Sequence, residues 1–218
     1  GGHHRYLRET CKATQPHEYK EYLMMKNRLI LASSSVYRAT QMAQAGYTFS
    51  SLAADIDETA EAGEIPAHLA ERLAASKCRE IARENPDAFV VGGDQVGETG
   101  GKLLTKPGNF KNNVAQLEYC ANTTATFHSA FAVFDPSTGQ IHAEVCTTHL
   151  EFKALTLDQI ETYVELEKPY DCAGGFKIES RGILLFRRVS SDDPSALIGL
   201  PMIGLSRVLS ELGYGFLS

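Results

Sequence analysis

The chemistry available to this chain lies in a few polar clusters set between apolar runs. Residues 31–38 (LASSSVYR) join a strand end, a serine turn and a helix start. Backbone N–H groups at such a helix start point outward and favour an anion. Ser33 and Ser35 add hydroxyls, and Arg38 falls in the first helical turn, where a guanidinium fork suits phosphate. The same letters also suit ordinary helix capping beside a solvated arginine. Residues 55–58 (DIDE) gather carboxylates that suit Mg²⁺ or form a solvated acidic loop. Asp94 follows the apolar run 88–93, where it can hold a metal, act as a base toward water, or cap a turn. Arg72 and Lys77 lie five residues apart on one helix, so only roughly on one face. Lys106 sits in a Lys-Pro-Gly turn. Gly174 and Gly175 let backbone approach a ligand closely, with Asp171, Lys177 and Glu179 beside them as polar handles or solvated charges.

Regular elements must hold these clusters. Leu29–Ala32 is a short buried-strand signal. Ser33–Ser35 cap a helix that runs to about Ala45 and is stopped by Gly46. Residues 47–53 predict a second strand. Pro66 opens a helix to Glu84, with Leu69, Leu73, Lys77 and Ile81 one turn apart. Residues 88–93 predict a buried strand that ends on Asp94. Gly100-Gly101 marks a hairpin tip, and Asn109 caps a helix to Cys120. Residues 123–135 and 140–153 predict two long strands joined by a Pro-Ser-Thr-Gly turn. A helix over 156–167, a glycine-rich loop, a strand over 182–189 and a closing helix over 201–212 complete the pattern. Alternating helices and strands with at least one hairpin predict an α/β fold on a mixed sheet.

Several chemistries are excluded. No P-loop, no dinucleotide-binding glycine pattern and no nucleophile elbow is present. His142 and His149, seven apart on a predicted strand, face opposite ways and form no ligand pair. Five cysteines, odd in number and widely spaced, predict neither a disulfide framework nor a structural zinc site, and Cys172 reads as a buried structural thiol. The 218 residues are 43% hydrophobic and 22% charged, a globular composition with ample core. The net charge is -6, yet residues 1–28 carry +3 and the rest -9. An acidic body predicts no nucleic-acid partner. No apolar run is long enough to span a bilayer, which predicts no membrane role and a cytoplasmic setting. Residues 1–27 are polar and aperiodic, and read as an N-terminal extension or tag-derived segment preceding one domain over 28–218.

Taken in order, LILASSSVYR, DIDET, ERLAASK, VVGGDQV, LLTKPGN, DCAGGFKIE and IGLPM resemble the Maf family of nucleoside triphosphate pyrophosphatases from about Arg28 to Leu212. The resemblance implies an elongated mixed sheet with flanking helices, related to the inosine triphosphate pyrophosphatases, with two lobes around a central cleft. It implies hydrolysis of a nucleoside triphosphate between its α- and β-phosphates with a divalent cation, Mg²⁺ or Mn²⁺, and a homodimer. By position, Ser33, Ser35 and Arg38 match the family's phosphate-binding motif. Glu58 and Asp94 match its metal-binding acidic pair, and Asp94 its proton acceptor. Lys77 and Lys106 match its phosphate-facing lysines, and Arg72 lies in the same helical motif. Tyr37, Gln95 and Glu179 match positions linked to base choice, and resemble the branch acting on 7-methyl-GTP. That methylated base is a cation, suited to an aromatic face and a carboxylate. A dTTP/UTP pyrophosphatase of the same family and a noncatalytic nucleotide-binding regulator of cell division are the competing readings. Val36, Ala39, Asn122 and Ala130 depart from the family pattern, as does Ser129, which keeps a hydroxyl on its strand.

Overall fold

A computed structural model describes residues 28–215; the extension expected over 1–27 lies outside the described residues. Seven strands form one mixed sheet. β1 (Leu29–Leu31) is wholly buried and runs parallel to both its neighbours, β2 (Ser50–Ser51) and β3 (Phe89–Thr99). Strands covered on both faces read as continuous apolar runs, as β1 does. β4 (Lys102–Leu104) folds back on β3 through Gly100 and Gly101, both at positive φ. β5 (Thr124–Phe134), β6 (Ile141–Phe152) and β7 (Phe186–Ser190) extend the sheet antiparallel, in the order β2-β1-β3-β5-β6-β7.

Two predicted strands are shorter in the structure. β2 has two residues rather than seven, and a 3-10 turn over Arg181–Leu185 replaces the first half of the strand expected over 182–189. The third strand is longer. It does not end on Asp94 but runs to Thr99. Glycines that looked like a terminus are instead contact points. A β-carbon on Gly92 would stand 2.2 Å from the Ala74 carbonyl oxygen, and one on Gly93 would stand 2.8 Å from Leu200.

Helices cover both faces. α1 (Val36–Gln44) starts at Ser35, whose hydroxyl accepts from the Arg38 amide. α2 (Pro66–Glu84) begins on proline and buries Leu69, Leu73, Ala74 and Cys78 in one stripe against the sheet. α3 (Phe110–Cys120) is capped by Asn109, and α4 (Leu157–Glu167) by a reciprocal Thr156–Gln159 box. α5 (Met202–Glu211) is the last helix among the described residues. Side chains alternate across a strand. Val90, Val96, Ala130 and Ala132 therefore pack on α2, while Val91, Phe131 and Val133 pack with residues of α1 and α5 on the other face. Farther along that second face a separate cluster joins Phe127, Phe152, Leu117, Ile160 and Phe176. These two clusters are the cores of two lobes. In the second, Phe176 meets Phe127, Phe152 and Phe186 edge-on at 5.1–5.9 Å. Such contacts contribute about 0.5–1.5 kcal/mol each beyond burial. They anchor the glycine-rich loop that carries Asp171 and Glu179.

Candidate functional site

The cleft opens where β3 loses a neighbour. β1 accompanies β3 only to Val91, and β4 joins it only at Gly97. Among the described residues, 92–96 therefore have no strand beside them on that edge, and the chain leaving β1 turns away as the serine loop. Asp94 points to the α2 face and Gln95 to the opposite face. A cavity of about 460 Å³ wraps this gap, lined by Tyr37, Gln95, Phe127, Glu179 and Leu197 among others. A second cavity of about 480 Å³ adjoins it beneath the serine loop, lined by Ser33, Ser35 and Asp55. Arg38, Glu58, Lys77 and Lys106 line both, as do Ser35, Tyr37 and Asp171.

At that junction the Lys77 ammonium lies 2.6 Å from Glu58 Oε1 and 3.0 Å from Asp94 Oδ1. Asp94 is 9% exposed. Burial raises its carboxyl above the ordinary range, against the pull of Lys77 and then Arg38. Glu58 is exposed and moves the other way: its hydrogen bond from Lys77 lowers it, with Lys106 and Arg38 adding to the effect. Two neighbouring carboxylates thus have their acidities pushed apart, an arrangement that divides roles between them. Arg38 Nε donates to the Gly199 carbonyl at 3.1 Å, fixing the guanidinium between α1 and the loop before α5. Its pKa falls through burial, and Asp94 and Glu58 oppose the fall.

The structure brings Ser35, Tyr37, Arg38, Glu58, Lys77, Asp94, Gln95, Lys106 and Glu179 to one cavity, and Ser33 to its neighbour. Arg72 is directed elsewhere. Its guanidinium donates to both Glu64 oxygens at 2.6 and 2.8 Å and to the Thr59 carbonyl at 3.1 Å. Five residues turn an α-helix by 500°, which leaves Arg72 well round the cylinder from Lys77. There it braces the loop that carries Glu58. The serine turn directs part of its hydrogen-bonding capacity inward. The Ser35 amide donates to Ser33 Oγ at 3.1 Å, and Ser35 Oγ caps Arg38. Cys172 is not deeply buried as expected; it is half-buried on the cavity wall, with its thiol pushed up to about 12 chiefly by burial.

The contacts that other singled-out residues make were not legible in the sequence. Tyr37 donates to both oxygens of Asp171 at 2.9–3.0 Å, linking the two lobes across the cleft, and Lys177 Nζ lies 5.4 Å from the centre of the same ring. Gln95 Nε2 donates to Ser129 Oγ at 3.2 Å and to the Leu197 carbonyl at 3.1 Å. No local pattern announces contacts between residues 34 to 134 positions apart. Among the described residues, no three histidine, cysteine or acidic side chains gather as a ready ligand set. Glu58 and Asp94 converge on one ammonium, and two carboxylates completed by an anionic ligand and water is a donor set that suits Mg²⁺. No helix among the described residues is long and apolar enough to cross a membrane.

The family model described as Maf-like protein matches residues 28–212. A 7-methyl-GTP pyrophosphatase from Aromatoleum aromaticum is 42% identical over 190 residues, spanning 87% of this chain and 98% of its own. Proteins of the same name from Cupriavidus pinatubonensis and Xanthomonas axonopodis pv. citri are 44% and 43% identical, spanning 87% and 86% of this chain and 95% and 97% of their own. Among solved structures, a HAM1 protein from Coxiella burnetii aligns with a TM-score of 0.47 and 17% identity, over 85% of this chain and 99% of that one.

Proposed function

We propose, from the premise that this chain belongs to the Maf family, that it hydrolyses a nucleoside triphosphate between its α- and β-phosphates. The products are a nucleoside monophosphate and pyrophosphate, and the proposed substrate is 7-methyl-GTP, the compound that the similar proteins are named for. The observation that carries this reading is the shared wall of the two cavities. Arg38, Glu58, Lys77 and Lys106, with Tyr37 beside them, line both a basin of serine-loop residues and a basin that also holds Gln95 and Glu179. A nucleotide lying across that wall has its phosphates on one side, its base on the other and its scissile bond among the charged groups.

Arg38, Lys77 and Lys106 neutralise the phosphate oxygens, most effectively where negative charge builds on the departing pyrophosphate. Asp94 accepts a proton from the attacking water as its oxygen bonds to the α-phosphorus and the bond to the bridging oxygen breaks. Its raised carboxyl makes it a better proton acceptor than an exposed aspartate. Glu58 and Asp94 would hold a divalent cation, Mg²⁺ or Mn²⁺, which supplies Lewis acidity at the phosphoryl group when bound. Tyr37 offers its ring to the cationic 7-methylguanine; Lys177 above the same ring shows its capacity for a positive charge. Glu179 supplies a carboxylate for the donors of the base.

The test is a panel of 7-methyl-GTP, GTP, dTTP and UTP with Mg²⁺. Pyrophosphate release, greatest with 7-methyl-GTP and abolished by chelation, is expected. Orthophosphate release would overturn the reaction, and preference for dTTP or UTP would overturn the base.

A further inference from the structure

Gln95 lies directly opposite Ser129 in the β3–β5 register, on the sheet face away from α2. Ser129 is fully buried. An amide side chain has a donor end and an acceptor end that differ little in shape, so its orientation is set by its partners. Here one partner removes the ambiguity. The Leu197 carbonyl oxygen can only accept, and it lies 3.1 Å from the Gln95 amide, so the NH₂ end must face it. Ser129 Oγ takes the second hydrogen of that NH₂ at 3.2 Å.

The loop that presents Leu197 is itself held. Gln41 donates to the carbonyls of Ser195 and Leu200 and accepts from the Leu200 amide, all at 2.9 Å. Asp193 accepts from the amides of Ser195 and Ile203 at 2.8 and 2.9 Å. The carbonyl that orients Gln95 thus sits in a stiff frame.

With the NH₂ end engaged, the Gln95 carbonyl oxygen is the group left over. It has no partner among the described residues, and it is not sealed: the one buried side-chain polar atom without a partner among them is Asn113 Oδ1. Gln95 lines the base-side cavity, as does the Glu179 carboxylate. We propose that Ser129 is a positioning residue for base selection: the Leu197 carbonyl sets which end of the Gln95 amide faces the cavity, and Ser129 Oγ, holding the second N–H, fixes the plane of that amide so that its carbonyl oxygen is aimed at the base. This rests on the nucleotide reading above and deepens it. Two acceptors facing one cavity favour a base with adjacent donors on its edge, such as the ring N–H and exocyclic amine of a guanine. They repel a base that presents an oxygen there.

The test compares the full chain with Ser129→Ala, Gln95→Ala and the double variant, using 7-methyl-GTP, GTP and inosine triphosphate, the last of which lacks the exocyclic amine. KM and kcat are measured by pyrophosphate release, and Kd by calorimetry with a non-hydrolysable α,β-methylene analogue of each nucleotide. Ser129→Ala is expected to lower the preference for the guanine nucleotides over inosine triphosphate by about 5-fold, through KM and Kd rather than kcat. In the Gln95→Ala background the same change should alter it by less than about 2-fold. An unchanged preference, or an equal loss in both backgrounds, would overturn the proposal. Should Ser129→Ala fail to fold, Ser129→Cys keeps the shape, weakens the acceptor and enters the same comparison. If the analogues bind but no pyrophosphate is released, the hydrolytic reading falls while the binding cycle still decides the role of Ser129. If no nucleotide binds, both fall.

Discussion

Lys77 donates to Asp94 across 3.0 Å, and this contact is the strongest force opposing the rise that burial imposes on the Asp94 carboxyl. A buried acid beside a half-buried base is sensitive to the loss of either. The proposed chemistry needs Asp94 ionised, so anything that raises its pKa further narrows the working range from the acid side.

Lys77→Met removes the counter-charge and keeps much of the volume. The Asp94 pKa then climbs, and the acid limb of the kcat/KM profile moves to higher pH. Turnover at neutral pH should fall by about 100-fold or more, since a donor proposed to face the phosphates is lost as well. A pH–rate profile of 7-methyl-GTP hydrolysis checks this; an unmoved acid limb would contradict it.

Asp94→Asn separates chemistry from stability. A carboxyl whose folded pKa lies above its unfolded value contributes stability below that unfolded value and loses it as pH rises through the folded one. Ionised Asp94 is therefore a liability to the fold at neutral pH. The amide should lower turnover by about 100- to 10,000-fold while Tm at pH 7 holds or rises. A scanning calorimeter and a pyrophosphate assay on the same sample read both effects.

Glu64 behaves in the opposite sense. The hydrogen bonds from Arg72 lower its carboxyl to about 2 from an ordinary 4.5. A depressed pKa contributes stability above the unfolded value, and that contribution fades as pH falls from 4.5 toward 2. Amide hydrogen exchange over residues 57–64 should therefore quicken in Arg72→Ala at neutral pH, and in the unaltered protein only in acid. KM should rise in the variant more than kcat falls, because Arg72 steadies the Glu58 loop without lining the cavity.

Gly92→Ala tests the contact between α2 and β3. The added carbon would stand 2.2 Å from the Ala74 carbonyl oxygen and 3.0 Å from the Cys78 amide, so helix and strand must separate. Overpacking of this kind costs about 1–3 kcal/mol. Lys77 moves with its helix, so turnover should fall along with Tm in chemical and thermal unfolding.

Much of the fold was legible because its signals are local. Pro66, Asn109 and Thr156 mark helix starts within one residue, and the long hairpin follows from two strand-like runs and the turn between them. The strand through Asp94 was misjudged because Gly92 and Gly93 carry the letters of a terminus while serving close packing, which depends on what lies opposite. The 3-10 turn over Arg181–Leu185 escaped because a short apolar run does not distinguish a strand from a tight turn. The charged residues that line the cavities were singled out one by one from type and family likeness. Their pairings were not, since Arg38 with Gly199 and Tyr37 with Asp171 join residues more than a hundred positions apart.

The gap in the edge of β3 leaves Asp94 and Gln95 as neighbours in sequence that look out from opposite sides of one rigid ribbon. Each therefore answers to a different set of neighbours: α2 and the acidic loop for one, β5 and the loop before α5 for the other. On the proposed reading, substitutions behind Gln95 would therefore change the preferred nucleotide while leaving the bond-breaking side as it is.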